Sequence, residues 1–327
     1  MNIKLPSVKL GGRFRLVTSK DAECKQVKED TGFFDNLITN TDNLITNTGM
    51  NRIGEVTTNI NSAIGAFSIL CGRFVVGSGS AVPQFTDTAL QNPVAFASSD
   101  PVLDKESSNY ERGWYEITVR HQFGQGQAAG NLSEIGIQHT STSGPLWSRA
   151  LILDGAGNPT TITVLPDDFL TCYYTLRIMI PKTDAVFNID VDYDEDGIVP
   201  TVVTCRPLNA NNPSPSVGWG LQTAGTLGLV AYLQFFTGGL AAPTASNPLG
   251  SVAASDTRSF STVPYVTDSF ERYVTRTNGL NEHNSQELRT AILNALMGAW
   301  QIEFNPPLQK NNTQTMQLTF GYSWARA

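Results

Sequence analysis

The sequence predicts an all-β protein, one or more antiparallel β-sandwiches with one or two short helices. Three observations lead there. The run Phe169–Ile180 alternates without a break. Leu170, Cys172, Tyr174, Leu176, Ile178 and Ile180 share one face, and Phe169, Thr171, Tyr173, Thr175, Arg177 and Met179 share the other. A period of two means one packed face and one partly wet face. Next, Gly, Pro, Asn and Asp punctuate the chain at 124–130, 141–145 and 154–159. These residues preset φ or bond their own backbone, so they read as turns. Finally, similar runs recur from end to end and add up to roughly a dozen strands.

Taken in order, RFRLVTS and CKQVKEDTGFF form a hairpin about the turn at 20–23. DNLITNT at 35–41 is repeated unchanged at 42–48. Seven extra residues inside a strand or core helix would displace everything after them, so one copy at least belongs on an exposed loop. Met50, Ile53, Val56 and Ile60 are spaced for a short amphipathic helix capped by Thr48. FSILCGRFVVGSG reads as a strand, 80–95 as loop with one helical turn, and 97–112 as a connection. The stretch from Trp114 to Pro181 reads as five antiparallel strands of one sheet system: WYEITVRHQF, NLSEIGIQH, LWSRALIL, TTITVL and FLTCYYTLRIMI. VFNIDVDY and IVPTVVTCR form a hairpin turning at Asp196-Gly197. LVAYLQFF is short enough for a buried strand, and FERYVTRT is another. LRTAILNALMGAW fits a helix as well as a buried strand. WQIEFNPPLQK and MQLTFGYSWARA close the chain as a hairpin. Residues 1–112 are expected to be an N-terminal β region with the helix, suited to attachment. Residues 113–327 are expected to be the main domain, with a charge-free insertion at 207–255. A single domain is the alternative.

At 327 residues the chain can bury a sizeable core. Only 16% of residues are charged, the net charge is −7, and Lys and Arg form no run. Phosphate backbones need a basic patch, so no nucleic-acid partner is expected. The first residues carry no apolar core of signal-peptide length, so no secretory address is read. Cys24, Cys71, Cys172 and Cys205 are far apart with no CxxC pair, and are expected to be reduced thiols. From Pro207 to Ser255 there is not one charged residue. Its apolar middle is rich in Gly and broken by Gln222 and Gln234, so no membrane span is expected. Two readings stay open: core with neutral loops, or a subunit interface carried by Leu229, Tyr232, Phe235 and Phe236.

Catalytic and metal chemistry is sparse. His121, His139 and His283 stand in no ligand spacing. Gly124, Gly126 and Gly130 mark a hairpin turn, not a phosphate loop. Glu116, Glu134 and Asp154 are the carboxylates to watch for a glycosidase pair, but sequence does not pair them. One site pattern does occur. Asp192, Asp194 and Asp196 with Gly197 occupy positions one, three, five and six of a calcium loop. Position twelve is Val203 and no helices flank it, so a solvated acidic turn is the competing reading. No other cofactor and no enzymatic activity are expected.

Four stretches, in this order, carry a resemblance: GFFDNLITNTGMNRIG with one duplicate removed, VVGSGSAVPQFTDTALQNPVA, GNLSEIGIQ…LWSRALILDGAGNPTTITVLPDDFLTCYYTLRI, and WQIEFNPPLQK…LTFGYSW. Together they resemble virion structural proteins of tailed bacteriophages, the tail or tail-fibre kind, over about half of the chain. The duplication and 207–255 depart from it. The resemblance implies a β-rich structural part of a virion (tail, fibre, baseplate or neck) that is assembled in the host cytoplasm. It implies action through contacts to itself and to neighbours, with no catalytic motif to transfer. A glycan-binding receptor protein of the tail is the alternative, and a polysaccharide-degrading enzyme a more distant one.

Overall fold

The computed structural model describes residues 1–34, 44–56, 65, 67, 70–97, 101–139, 144–193, 197–214, 218–220, 233–256, 260–284, 287–295 and 297–327. Chain order begins with β1 (Asn2–Lys4), β2 (Val8–Ser19), β3 (Val27–Asp30), β4 (Leu44–Ile45), helix α1 (Asn47–Glu55), β5 (Arg73–Gly77), β6 (Pro93–Phe96) and β7 (Val102–Asn109). The middle holds β8 (Trp114–Phe123), β9 (Gly130–Leu132), β10 (Glu134–Gln138), β11 (Leu146–Leu151), β12 (Ile162–Val164) and β13 (Phe169–Met179). There follow β14 (Ala185–Asp192), β15 (Ile198–Leu208), β16 (Leu233–Phe236), β17 (Val252–Asp256) and β18 (Ser261–Thr262). The last are β19 (Glu271–Asn278), β20 (Leu288–Ala295), β21 (Gly298–Leu308) and β22 (Met316–Arg326). The fold is all-β and sandwich-like, as the alternation predicts.

The largest sheet has nine strands in the order β18-β19-β22-β2-β13-β8-β7, with β1 on β22 and β3 on β2. A five-stranded sheet runs β4-β11-β10-β5-β6, a six-stranded one β14-β15-β21-β20-β16-β17, and β9 pairs with β12 alone. Pairing is antiparallel except where β1 and β2 lie parallel to β22. The five strands expected to make one sheet system are therefore shared among three sheets. The expected boundary at 112/113 falls inside the β7–β8 hairpin, and β2 pairs with β13 along its whole length. Residues before and after that boundary build the same sheet.

The packed face of β13 is as predicted, with Leu170, Cys172, Tyr174, Leu176 and Ile178 all buried. Tyr174 joins two sheets. Phe14 of β2 packs on it at 4.8 Å between ring centroids, and Trp147 of β11 donates its indole N–H to the Tyr174 hydroxyl at 3.1 Å. Each such aromatic, fully removed from water, contributes about 2–3 kcal/mol. Helix α1 lies directly on β11. A Cβ on Gly49 would stand 2.4 Å from the Trp147 carbonyl, so only glycine permits this approach. The N-cap is Thr46, not Thr48. The Thr46 hydroxyl accepts from Gly49 N–H, while the Thr48 hydroxyl donates to the Leu146 carbonyl at 2.7 Å. Trp219 packs on Trp300 at 5.5 Å and donates to the Leu208 carbonyl, which fixes the six-stranded sheet.

Several expectations are corrected. Residues 102–109 are a strand, not a connection. Phe67 and Leu70 are helical, and the strand expected from Phe67 begins only at Arg73. The ambiguous 288–300 is a strand pair turning at Met297, which is buried and left-handed at φ 71°. Phe235 belongs to the main core, and Phe236 packs with Leu208, Ile292 and Ala299. Both are covered by their own chain and offer no area to another. Leu229 and Tyr232 lie outside the described residues. Of the repeat, the first copy lies outside them too. The described part of the second supplies β4, the Thr46 cap and the start of α1.

Candidate functional site

Polar chemistry gathers where strand register brings distant residues side by side. On β10, Glu134 is fully buried. Its carboxylate accepts from the backbone N–H groups of Gly79, Gln91 and Asn92 at 3.0, 3.1 and 2.8 Å. It also accepts two bonds from the Arg149 guanidinium on the neighbouring β11, at 3.1 and 2.8 Å. Arg149 reaches on to Asp87 and to the Ala81 carbonyl. A Cβ on Gly79 would fall 2.3 Å from Glu134 Oε1, so glycine lets the backbone close on the carboxylate. Every acceptor site is used and water is excluded. Glu134 is thus an anchor for the 78–92 loop and has no capacity left for acid–base work.

Asp168 anchors a second turn. Burial pushes its carboxyl up, but Lys20, Lys28 and the Leu165 N–H outweigh that and hold it well below the usual carboxylate range. Asp154 accepts from the N–H groups of Asn158 and Ala156, which lower its pKa and close its own turn. Glu116 is bound to two arginines, described below. Among the described residues, none of the three carboxylates expected as glycosidase candidates shares a pocket with a second one.

Histidines play packing roles. Burial, aided by the charge on Arg52, pulls His139 down to about 4, and burial with Arg73 lowers His121, whose ring edge meets Phe123. His283 packs beside Phe235. Cys71, Cys172 and Cys205 are buried separate thiols, with Cys205 pushed up to about 12 by burial, and Cys24 is a half-buried one. No group of three metal-ligating side chains occurs among the described residues.

The acidic hairpin lies at the edge of the six-stranded sheet. Asp190 and Asp192 are exposed and line a cleft of about 210 Å³ with Tyr193, Lys310 and Gln314. Tyr193 ties the hairpin down: its hydroxyl accepts from Gln309 N–H at 3.1 Å, and its carbonyl accepts from Gln314 Nε2 at 3.2 Å. Asp194 and Asp196, the other two expected calcium ligands, lie outside the described residues.

The feature that sequence reasoning missed is on the open face of the nine-stranded sheet. Register places Arg177 opposite Glu116, and Tyr173 between Arg15 and Arg120. Glu116 Oε1 accepts from Arg177 Nε at 2.7 Å and from Arg13 Nη2 at 3.1 Å. Arg177 lies over the Trp114 ring at 4.6 Å, Arg13 over Phe33 at 4.7 Å, and Arg15 over Tyr173 at 5.2 Å. Arg15 also makes a two-pronged pair with Asp30, which holds that carboxyl below its usual range. Guanidinium and aromatic planes therefore alternate across three strands. The outward side chains of β13 were legible in the alternation, but their partners depend on register with β2 and β8. The Glu134–Arg149 anchor left no sequence signal at all.

No protein family, curated protein or solved structure matches this chain. No helix among the described residues is long and apolar enough to cross a membrane.

Proposed function

We propose that this chain is a structural component of a tailed-phage virion, acting through contacts with its own copies and with neighbouring virion proteins. One observation carries the reading. The buried charged clusters at Glu134 and Asp168 hold the chain's own loops, whereas the accessible charge and aromatic area is spread over flat sheet faces and strand edges. Surfaces of that kind make contacts and do not enclose substrates. The ordered resemblance of four stretches adds the virion context. All four run through described elements: the helix α1 region, β5 with its following loop, β9–β13, and β21–β22.

The experiment is mass spectrometry of density-banded particles, combined with antibody labelling in electron micrographs. Label at a fixed place on every particle, with a constant copy number, is expected. Absence of the chain from intact particles would sink the proposal. A second reading, a glycan-binding tail protein, is favoured by Trp114 and Tyr173 lying on the open face with arginines stacked on them. Retention on a glycan array that is lost in Trp114→Ala would support it.

A further inference from the structure

We infer that copies of this chain associate head to tail, with the β14–β15 hairpin of one copy seated on the arginine–aromatic face of the next. The inference rests on the self-association in the reading above and names the two surfaces that would make it. The first is the open face of β2, β13 and β8. It carries Arg13, Arg15, Arg120 and Arg177 together with Trp114 and Tyr173. Around it, among the described residues, Glu116, Asp30 and Asp104 are fewer than the cations, because Lys9 and Lys105 lie on the same face. A cationic surplus on one face of a chain of net charge −7 calls for an anionic partner.

The second surface supplies that chemistry. On β14–β15, Phe187, Ile189 and Val191 turn inward against the core. The outward face pairs Val186 with Thr204, Asn188 with Val202, Asp190 with Pro200 and Asp192 with Ile198. On it Val186 is 62% and Ile198 64% exposed, among the barest apolar side chains in the molecule. It thus offers β-branched apolar groups beside carboxylates. The opposing face offers aromatic rings beside guanidiniums. The hairpin also belongs to the most acidic stretch of the sequence, 184–196. Pairing of β15 with β21 fixes the hairpin within its sheet, so the complement is met on another copy. Because the two surfaces differ, the contact is heterologous, and repeating it yields a ring or an open filament.

The test uses the full chain in two charge-reversed forms: Lys105→Glu with Arg120→Glu on the face, and Asp190→Lys on the hairpin. None of these residues is buried. Light scattering and native mass spectrometry over a concentration series measure assembly. The expected result is a salt-weakened wild-type assembly, with apparent Kd raised about tenfold or more in each variant alone. An equal mixture of the two variants should recover assembly, because wild-type hairpin meets wild-type face and lysine meets glutamate. That recovery also shows that both variants are folded. Assembly that ignores salt and both variants would overturn the inference and leave the oligomeric reading intact. A wild-type chain that stays monomeric throughout would overturn both. Variants that are folded by circular dichroism, do not assemble alone and do not recover on mixing would overturn the heterologous pairing. So would capture of a soluble acidic polysaccharide by the face without assembly.

Discussion

Two arginine–carboxylate clusters in this molecule use the same chemistry to different ends. Glu134 and Arg149 are sealed, with side chains 0% and 4% exposed. Glu116, Arg13 and Arg177 lie on an open sheet face at 14%, 27% and 18%. The sealed carboxylate accepts five hydrogen-bond donors and holds a loop. The open one ties three strands together, β8 to β13 and β2, and leaves its arginines stacked on aromatic rings. Desolvation is what separates them. A buried pair is costly to break because the survivor is left charged and dry, whereas a part-buried pair at the surface keeps access to water.

The largest expected effect breaks the sealed member. Glu134→Gln leaves Arg149 with the part-exposed Asp87 as counter-charge in place of the buried Glu134, and should cost about 3 kcal/mol, read as the shift in urea midpoint. A loss under about 1 kcal/mol would show that the cluster is less dry than its burial implies. A pH test probes burial at the opposite end of β10. His139, next to the end of β10, has its folded pKa lowered to about 4, so the unfolded chain binds its proton more tightly. Its contribution is therefore fully present above the usual histidine range and is lost as pH falls from about 6.5 towards 4. The shift corresponds to about 3 kcal/mol. Wild type should lose stability between pH 6.5 and 5 more steeply than His139→Gln, and parallel curves would show a hydrated histidine. On the open face, Glu116→Gln should cost under about 1 kcal/mol, with a salt dependence that the Glu134 variant lacks. The smallest effect is expected at the repeat. Deleting either copy of DNLITNT leaves the identical sequence, which still carries the Leu-Ile strand, the Thr cap and the glycine that approaches β11. Stability within about 1 kcal/mol of wild type is expected, since every described element keeps its sequence. A chain that no longer melts cooperatively would mean that both copies are structural.

What was legible in the sequence is what has two unlike faces. β13 and β14 alternate because one side is apolar and packed and the other polar, although Thr171 and Thr175 on the polar side of β13 are buried too. Strand β7 was missed because it is a sheet edge. Val102 and Leu103 are exposed and a bulge follows at Leu103/Lys105, so no alternation survives. The pair β20–β21 stayed ambiguous for the opposite reason: Leu288, Ala291, Leu293, Ala299, Trp300 and Ile302 are buried on both faces, and a continuous apolar run does not declare its period. Charge-free 207–255 suggested an interface, yet Phe235 and Phe236 serve the chain's own core. Low charge marks burial without saying who does the covering. The candidate face was half legible. Tyr173, Arg177 and Trp114 stood in their alternating positions, but no local signal placed Glu116 beside Arg177 or Arg15 beside Tyr173.

The parallel pairing of β1 and β2 with β22 sets a schedule. Residues 2–4 pair with 319–321, and residues 8–10 with 324–326. During synthesis the first strands leave the ribosome long before their neighbour exists. Strand β2 can meet β3 at residues 17–19 early and β13 midway, but its stretch 8–10 stays bare on the other edge until residues 324–326 are made. Until β22 is made, this start of β2 is an open strand edge backed by the buried Val8 and Leu10. A chain cut short before Met316 would keep the edge open permanently and, with it, a template for aggregation.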